Sequence, residues 1–134
     1  MKIEFLRDIK GRGEHVMRIY DFDKSQAQLF RDDIREVITE GRTVHLSDKE
    51  YITCVNCFFS LRISGQDVGI LTDDDHHFFL KMSIAGYEDI LQKIEPFCQR
   101  DAKTYIWLYD LDNPVELLFS AGEFVLHPDD VDED

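Results

Sequence analysis

The chain has 134 residues, 43% of them hydrophobic and 12% aromatic, with a formal net charge of −13. That length and composition predict one domain whose core needs neither disulfides nor metals, and argue against disorder over residues 1–126. Residues 1–50 hold ten Lys/Arg against eleven Asp/Glu and residues 51–134 five against seventeen, which disfavours nucleic acid or anionic lipid as a partner and favours a basic protein.

The opening MKIEFLRDIKGRG carries a charge every few positions and no apolar run suited to a signal peptide or membrane span, so the chain is expected to be cytoplasmic and without a membrane partner. Three cysteines leave one unpaired in any disulfide scheme, which fits a reducing compartment. Residues 2–9 and 15–22 read as a β-hairpin around Gly11-Arg12-Gly13. From Asp23 the period changes. Ala27, Phe30, Ile34, Val37 and Ile38 recur at helical spacing, Asp23 with Gln26 forms a capping-box pattern, and Gly41 stands where a helix would close.

Residues 43–46 predict a short strand, followed by a polar turn and a long β-rich run over residues 51–63. There Tyr51, Thr53, Val55, Cys57, Phe59, Leu61 and Ile63 share one face, and Cys54, Asn56, Ser60 and Arg62 the other. Residues 68–71 and 77–82 continue as a meander through Asp73-Asp74-Asp75. A second helix carries Ile84, Tyr87, Ile90, Leu91 and Ile94, and Pro96 predicts its end near Glu95. Strands at 104–110, 115–120 and 123–126 close a domain of residues 1–126, and residues 127–134 form an acidic tail unable to pack. The order β-β-α-β-β-β-β-α-β-β, with short links, predicts an α+β fold. Its core would be a single twisted antiparallel sheet of about six to eight strands with two helices packed on it. No internal repeat is evident.

Cys54-Val-Asn-Cys57 has the spacing of a redox or zinc pair, but residues three apart on a strand point to opposite sides, which predicts two unrelated cysteines. Asp73-Asp74-Asp75-His76-His77 is rich in potential ligands, yet consecutive side chains diverge, so a solvated turn available to a basic partner is expected rather than an ion site. No metal or cofactor is predicted. In the segment from Tyr105 to Asp112, Ile106 and Leu108 alternate with Tyr105, Trp107 and Tyr109. With the aliphatic side in the core, the three aromatics would stand beside Asp110, Asp112 and Glu116, and rigid aromatics ringed by charge suit a protein interface.

Asp21-Phe-Asp23-Lys-Ser25, after the apolar residues 16–20, resembles the first motif of haloacid-dehalogenase-type phosphatases. The resemblance implies Asp21 as nucleophile and Asp23 as acid/base, with Ser47, Lys49, Asp74 and Asp75 where later motifs would fall. That family's fold uses a parallel sheet with crossover helices, whereas two helices are predicted here and Asp23 also reads as a cap. The leading expectation is a non-enzymatic acidic binding module docking on a basic protein, in the manner of an immunity-type inhibitor or adaptor. The alternatives are the phosphatase-like hydrolase and a structural subunit that self-associates through the aromatic strand.

Overall fold

A computed structural model describes residues 1–8 and 14–121. Helix α1 (Lys24–Glu40) begins and ends at the residues its sequence marks. Asp23 accepts from the Gln26 amide at 2.9 Å while the Gln26 side chain accepts from the Asp23 amide, so two otherwise orphaned donors are satisfied together. Gly41 closes the helix at φ 67°, a left-handed conformation that glycine adopts without penalty. Ala27, Phe30, Ile34 and Val37 are buried, each of the larger three stabilising the fold by about 1.5–3 kcal/mol through apolar transfer.

Helix α2 (Ile84–Gln99) starts at Ser83, whose hydroxyl accepts from the Gly86 amide at 3.0 Å. It runs past Pro96 instead of ending at Glu95. Pro96 deletes one donor, but Phe97 and Cys98 beyond it are buried, and Phe97 packs on Phe22 and Phe119 at ring separations of 6.0 and 5.0 Å. Burial of that last turn outweighs a single missing hydrogen bond. The helices lie side by side, joined by Arg31–Glu95 at 3.2 Å and by Gln28 Nε2 donating to the Cys98 carbonyl at 2.9 Å.

The strands are β1 (Lys2–Leu6), β2 (His15–Tyr20), β3 (Val44–His45), β4 (Thr53–Cys54), β5 (Phe58–Ile63), β6 (Gly69–Thr72), β7 (His77–Met82), β8 (Tyr105–Trp107) and β9 (Val115–Ser120). They form two sheets, a first ordered β4-β1-β2-β9-β8 and a second ordered β3-β5-β7-β6, which corrects the expectation of a single antiparallel one. The pairs β1–β2, β3–β5, β6–β7 and β8–β9 are antiparallel. The pairs β1–β4, β2–β9 and β5–β7 are parallel. Local links allow only the antiparallel pairs; the parallel ones join strands separated by a crossover, which residue-to-residue spacing does not reveal.

The run 51–63 is not one strand either. Its start belongs to the first sheet as β4 and its end to the second as β5, with residues 55–57 crossing between them. Strand β6 lies outside β7 rather than between β5 and β7, because the link preceding it passes over β7: Ser64 N donates to Met82 O at 2.9 Å and Val68 N to Lys81 O at 3.0 Å.

Leaving β4 aside, the topology falls into two halves of like order. Each is an antiparallel strand pair, a helix and a second antiparallel pair: β1-β2-α1-β3-β5, then β6-β7-α2-β8-β9. The halves exchange pairs, so that β2 lies parallel to β9 in one sheet and β7 parallel to β5 in the other. One apolar cluster spans both sheets and both helices. Phe119 of β9 meets Phe22, Phe30 and Phe97, while Phe5 of β1 meets Phe78 of β7 at 4.4 Å and ties sheet to sheet. The Gly11-Arg12-Gly13 turn, the strand expected at 123–126 and the tail 127–134 lie outside the described residues.

Candidate functional site

Strand register decides which side chains share the outward face of the first sheet, since residues paired across a ladder point the same way. Trp107 pairs with Leu118, Leu118 lies opposite Arg18, and Arg18 opposite Glu4. The next row runs Tyr105, Ser120, Tyr20, Lys2. Glu116, two residues from Leu118, points to this face as well. The opposite face carries Ile3, Phe5, Met17, Ile19, Leu117 and Phe119, all buried in the core.

On the outward face Tyr105 and Trp107 remain 46% and 39% exposed, at the outermost strand of the sheet. Behind them Leu118 is fully covered, and Arg18 lies over the Tyr20 ring at 3.9 Å and pairs with Glu4 at 2.6 Å. An aromatic pair thus stands on a rigid, charge-compensated floor.

Tyr109 does not join them. Strand β8 ends at Trp107 and the alternation breaks, so Leu108 and Tyr109 are both buried and the Tyr109 hydroxyl donates to the Val115 carbonyl. Burial pushes this phenol's pKa up, keeping it neutral. Asp110 and Asp112 follow, both exposed, on the loop to β9, and Asp110 lines a groove with Gly86, Asp89 and Lys93 of α2, so of the three expected acids only Glu116 is placed by the ladder on the face of Tyr105 and Trp107.

Asp73, Asp74 and Asp75 occupy the turn between β6 and β7, in the other sheet. Asp74 works within the turn: its Oδ1 accepts from the His76 and His77 amides at 2.9 Å each, and its Oδ2 meets His77 Nδ1 at 2.9 Å. Those donors hold its carboxyl well below the usual carboxylate range. Asp75, at φ 62°, pairs with Arg7 at 3.7 Å.

The residues of the phosphatase resemblance are engaged separately. Asp21 pairs with Lys2 at 3.4 Å, Asp23 caps α1, and Lys49 faces Asp33 at 3.4 Å. Strand β2, which precedes Asp21, is parallel to β9 but antiparallel to β1, unlike a doubly wound sheet.

A second constellation, not anticipated from spacing, lies along a groove where the sheets meet, lined by Ser47, Cys54, Cys57, Phe58, His76 and His77. Phe58 stacks on His77 at 4.9 Å, and His45 Nδ1 lies 2.7 Å from Ser60 Oγ just beyond. Contrary to the strand argument, Cys54 and Cys57 line the same groove and interact with each other. The crossing at residues 55–57 turns them together, and the signal available for it was Asn56, a turn former inside an apparent strand.

Among the described residues no cluster of three or more His, Cys, Asp or Glu side chains is placed to hold a metal ion. None of the described helices is long and apolar enough to cross a membrane. Comparison with protein-family models, curated proteins and solved structures gives no match, so the functional reading rests on the chemistry of these two surfaces.

Proposed function

We propose that the chain is a non-enzymatic acidic binding module that docks on a basic protein surface, as an inhibitor of the immunity type or an adaptor does. The observation that supports this reading is the exposure of Tyr105 and Trp107 on the outermost strand of the first sheet, with Glu116 on the same face and Asp110 and Asp112 on the adjoining loop. Exposed aromatics presented by a rigid sheet bury much area at little entropic cost, and surrounding carboxylates steer a cationic partner toward them. Arg18 is already neutralised by Glu4, so the basic group on this face does not oppose that field. Tyr109 contributes by fixing the loop rather than by contact.

The test is to isolate the partner with the full chain as bait in its native cells and then measure rates for the purified pair. Trp107→Ala is expected to weaken binding by about 2 kcal/mol or more through faster dissociation. Asp110→Asn with Asp112→Asn should slow association at low salt, with the effect fading as charges are screened over about 8–10 Å. Salt-independent association, or a folded Trp107→Ala chain that binds like the parent, removes this face from the interface.

A further inference from the structure

Cys54 ends β4 and Cys57 immediately precedes β5, so the pair brackets the short link by which the chain leaves one sheet for the other. That link is pinned. Val55 N donates to Ile3 O at 2.9 Å, and the Asn56 side chain grips Phe5 in both directions, accepting from its amide at 2.9 Å and donating to its carbonyl at 2.8 Å. Asn56 thereby imitates one more strand residue beside β1. The turn cannot swing away without losing three hydrogen bonds, and it holds the two thiols together on the wall of one open groove.

The two sulfurs have different surroundings. Cys54 is half-buried, with Sγ 3.6 Å from Ser47 Oγ. That hydroxyl already accepts from the Phe59 amide at 2.9 Å, so its own proton is free to face a sulfur anion. Cys57 is buried, and its thiol faces Met17 Sδ at 3.8 Å. The neighbouring Cys57 thiol, then Ser47 and the Phe59 amide, lower the Cys54 thiol's pKa against the opposing cost of burial. The interaction with Cys54, followed by burial, pushes the Cys57 thiol up. A dithiol split in this way has an attacking member and a waiting one.

We propose that Cys54 and Cys57 form a thiol–disulfide exchange centre whose substrate is a small-molecule disulfide, with Cys54 as the attacking sulfur and Cys57 as the resolving one. The Cys54 thiolate attacks one sulfur of the disulfide, forming a mixed disulfide and expelling the other half as a thiolate. Cys57 then gives up its proton and attacks the Cys54 sulfur, expelling the second half. The Cys57 proton and the one Cys54 had released leave the products as two thiols. The protein's two thiols are oxidised to one disulfide and the substrate disulfide is reduced to two thiols. This centre is separate from the Tyr105/Trp107 face and does not depend on it.

The experiment equilibrates the full chain with mixtures of oxidised and reduced glutathione and maps the cysteines by peptide mass spectrometry. The parent is expected to gain a Cys54–Cys57 disulfide with Cys98 still reduced. Cys57→Ala should instead accumulate a glutathione adduct on Cys54, and Cys54→Ser should acquire neither. In the reduced parent, iodoacetamide near pH 7 should alkylate Cys54 about tenfold or more faster than the buried Cys98. The parent's map and its alkylation order need no variant to fold. A persistent glutathione adduct on Cys54 of the parent, a pair that stays reduced in pure oxidised glutathione, or faster alkylation of Cys57 would each overturn the proposal.

Discussion

Asp33 is turned toward the protein from α1 and is only 8% exposed, where it accepts from the Tyr51 hydroxyl and faces Lys49 Nζ at 3.4 Å. Burial nevertheless holds its pKa above the ordinary carboxylate value, outweighing both partners. A carboxyl whose folded pKa is raised binds its proton more tightly when folded, so its ionisation costs stability as pH rises from the unfolded value through the folded one. Asp33→Asn, which keeps an acceptor for Tyr51 and has no charge to desolvate, should therefore gain on the parent as pH climbs from about 3 toward 7. Asp33→Ala should lose about 1–3 kcal/mol by leaving the Tyr51 hydroxyl without its acceptor. Urea titrations across that pH range check both, and a parent–Asn difference that is flat or reversed with pH would refute the sign. The helical period sets Asp33, three residues after Phe30 and four before Val37, at the edge of the apolar stripe, apart from Asp32 and Glu36, but says nothing of what it meets there. Its partners arrive from positions 49 and 51, after the chain has left the helix, and contacts of that kind have no local signature.

Elements were legible where their determinants are local. The capping box at Asp23 and the glycine at 41 bound α1 at its two ends, each through groups within a few residues of it, and β7 and β9 have the limits their apolar runs suggest. The crossing at residues 55–57 was not, because the group that holds Asn56 is the backbone of Phe5 on a distant strand. The aromatic segment was half legible: Tyr105 and Trp107 follow the alternation, whereas Tyr109 obeys a hydroxyl–carbonyl contact with Val115 at the start of β9. Helix α2 overran its proline for the sake of Phe97, and this gives a prediction. Pro96→Ala restores the missing donor at an exposed site and should stabilise the chain by about 1–2 kcal/mol after allowing for the freer unfolded state; a loss in thermal melts would mean that the proline ring itself holds the turn. The sheets are also stapled by Asn113, on the loop between β8 and β9, whose Nδ2 donates to Val68 O at 3.0 Å and Ile70 O at 3.2 Å around β6. Gly69 permits that approach, since it sits at φ 95° and a Cβ there would lie 2.7 Å from Asn113 Nδ2. Gly69→Ala should cost about 2–3 kcal/mol in the parent. It should cost less beside Asn113→Ala, where only the backbone strain remains, and a double-mutant cycle in denaturant reads the difference.

For the whole molecule the governing fact is that neither half owns a sheet. The halves look unlike each other in sequence because equivalent strands meet different environments: β2 buries Arg18 between Glu4 and Tyr20, while the equivalent β7 alternates simply between core and surface. The likeness of the halves therefore lies in pairing, which an apolar pattern does not encode. Separate fragments 1–64 and 65–134 should each lack cooperative structure, because β2 and β5 would miss β9 and β7. Mixed in equal amounts they should recover the intact chain's circular dichroism and a single melting transition, and a fragment that folds cooperatively alone would contradict this dependence. The same interlacing sets a timetable for synthesis in the cell. When residue 64 leaves the ribosome, β2 and β5 are complete but their parallel partners have not yet emerged. At roughly 5–20 residues per second β5 waits about 1–4 s for β7 and β2 about 3–11 s for β9, with apolar strand edges open. Nascent chains of this protein should consequently be clients of ribosome-associated chaperones until β9, the last described strand, reaches its place beside β2.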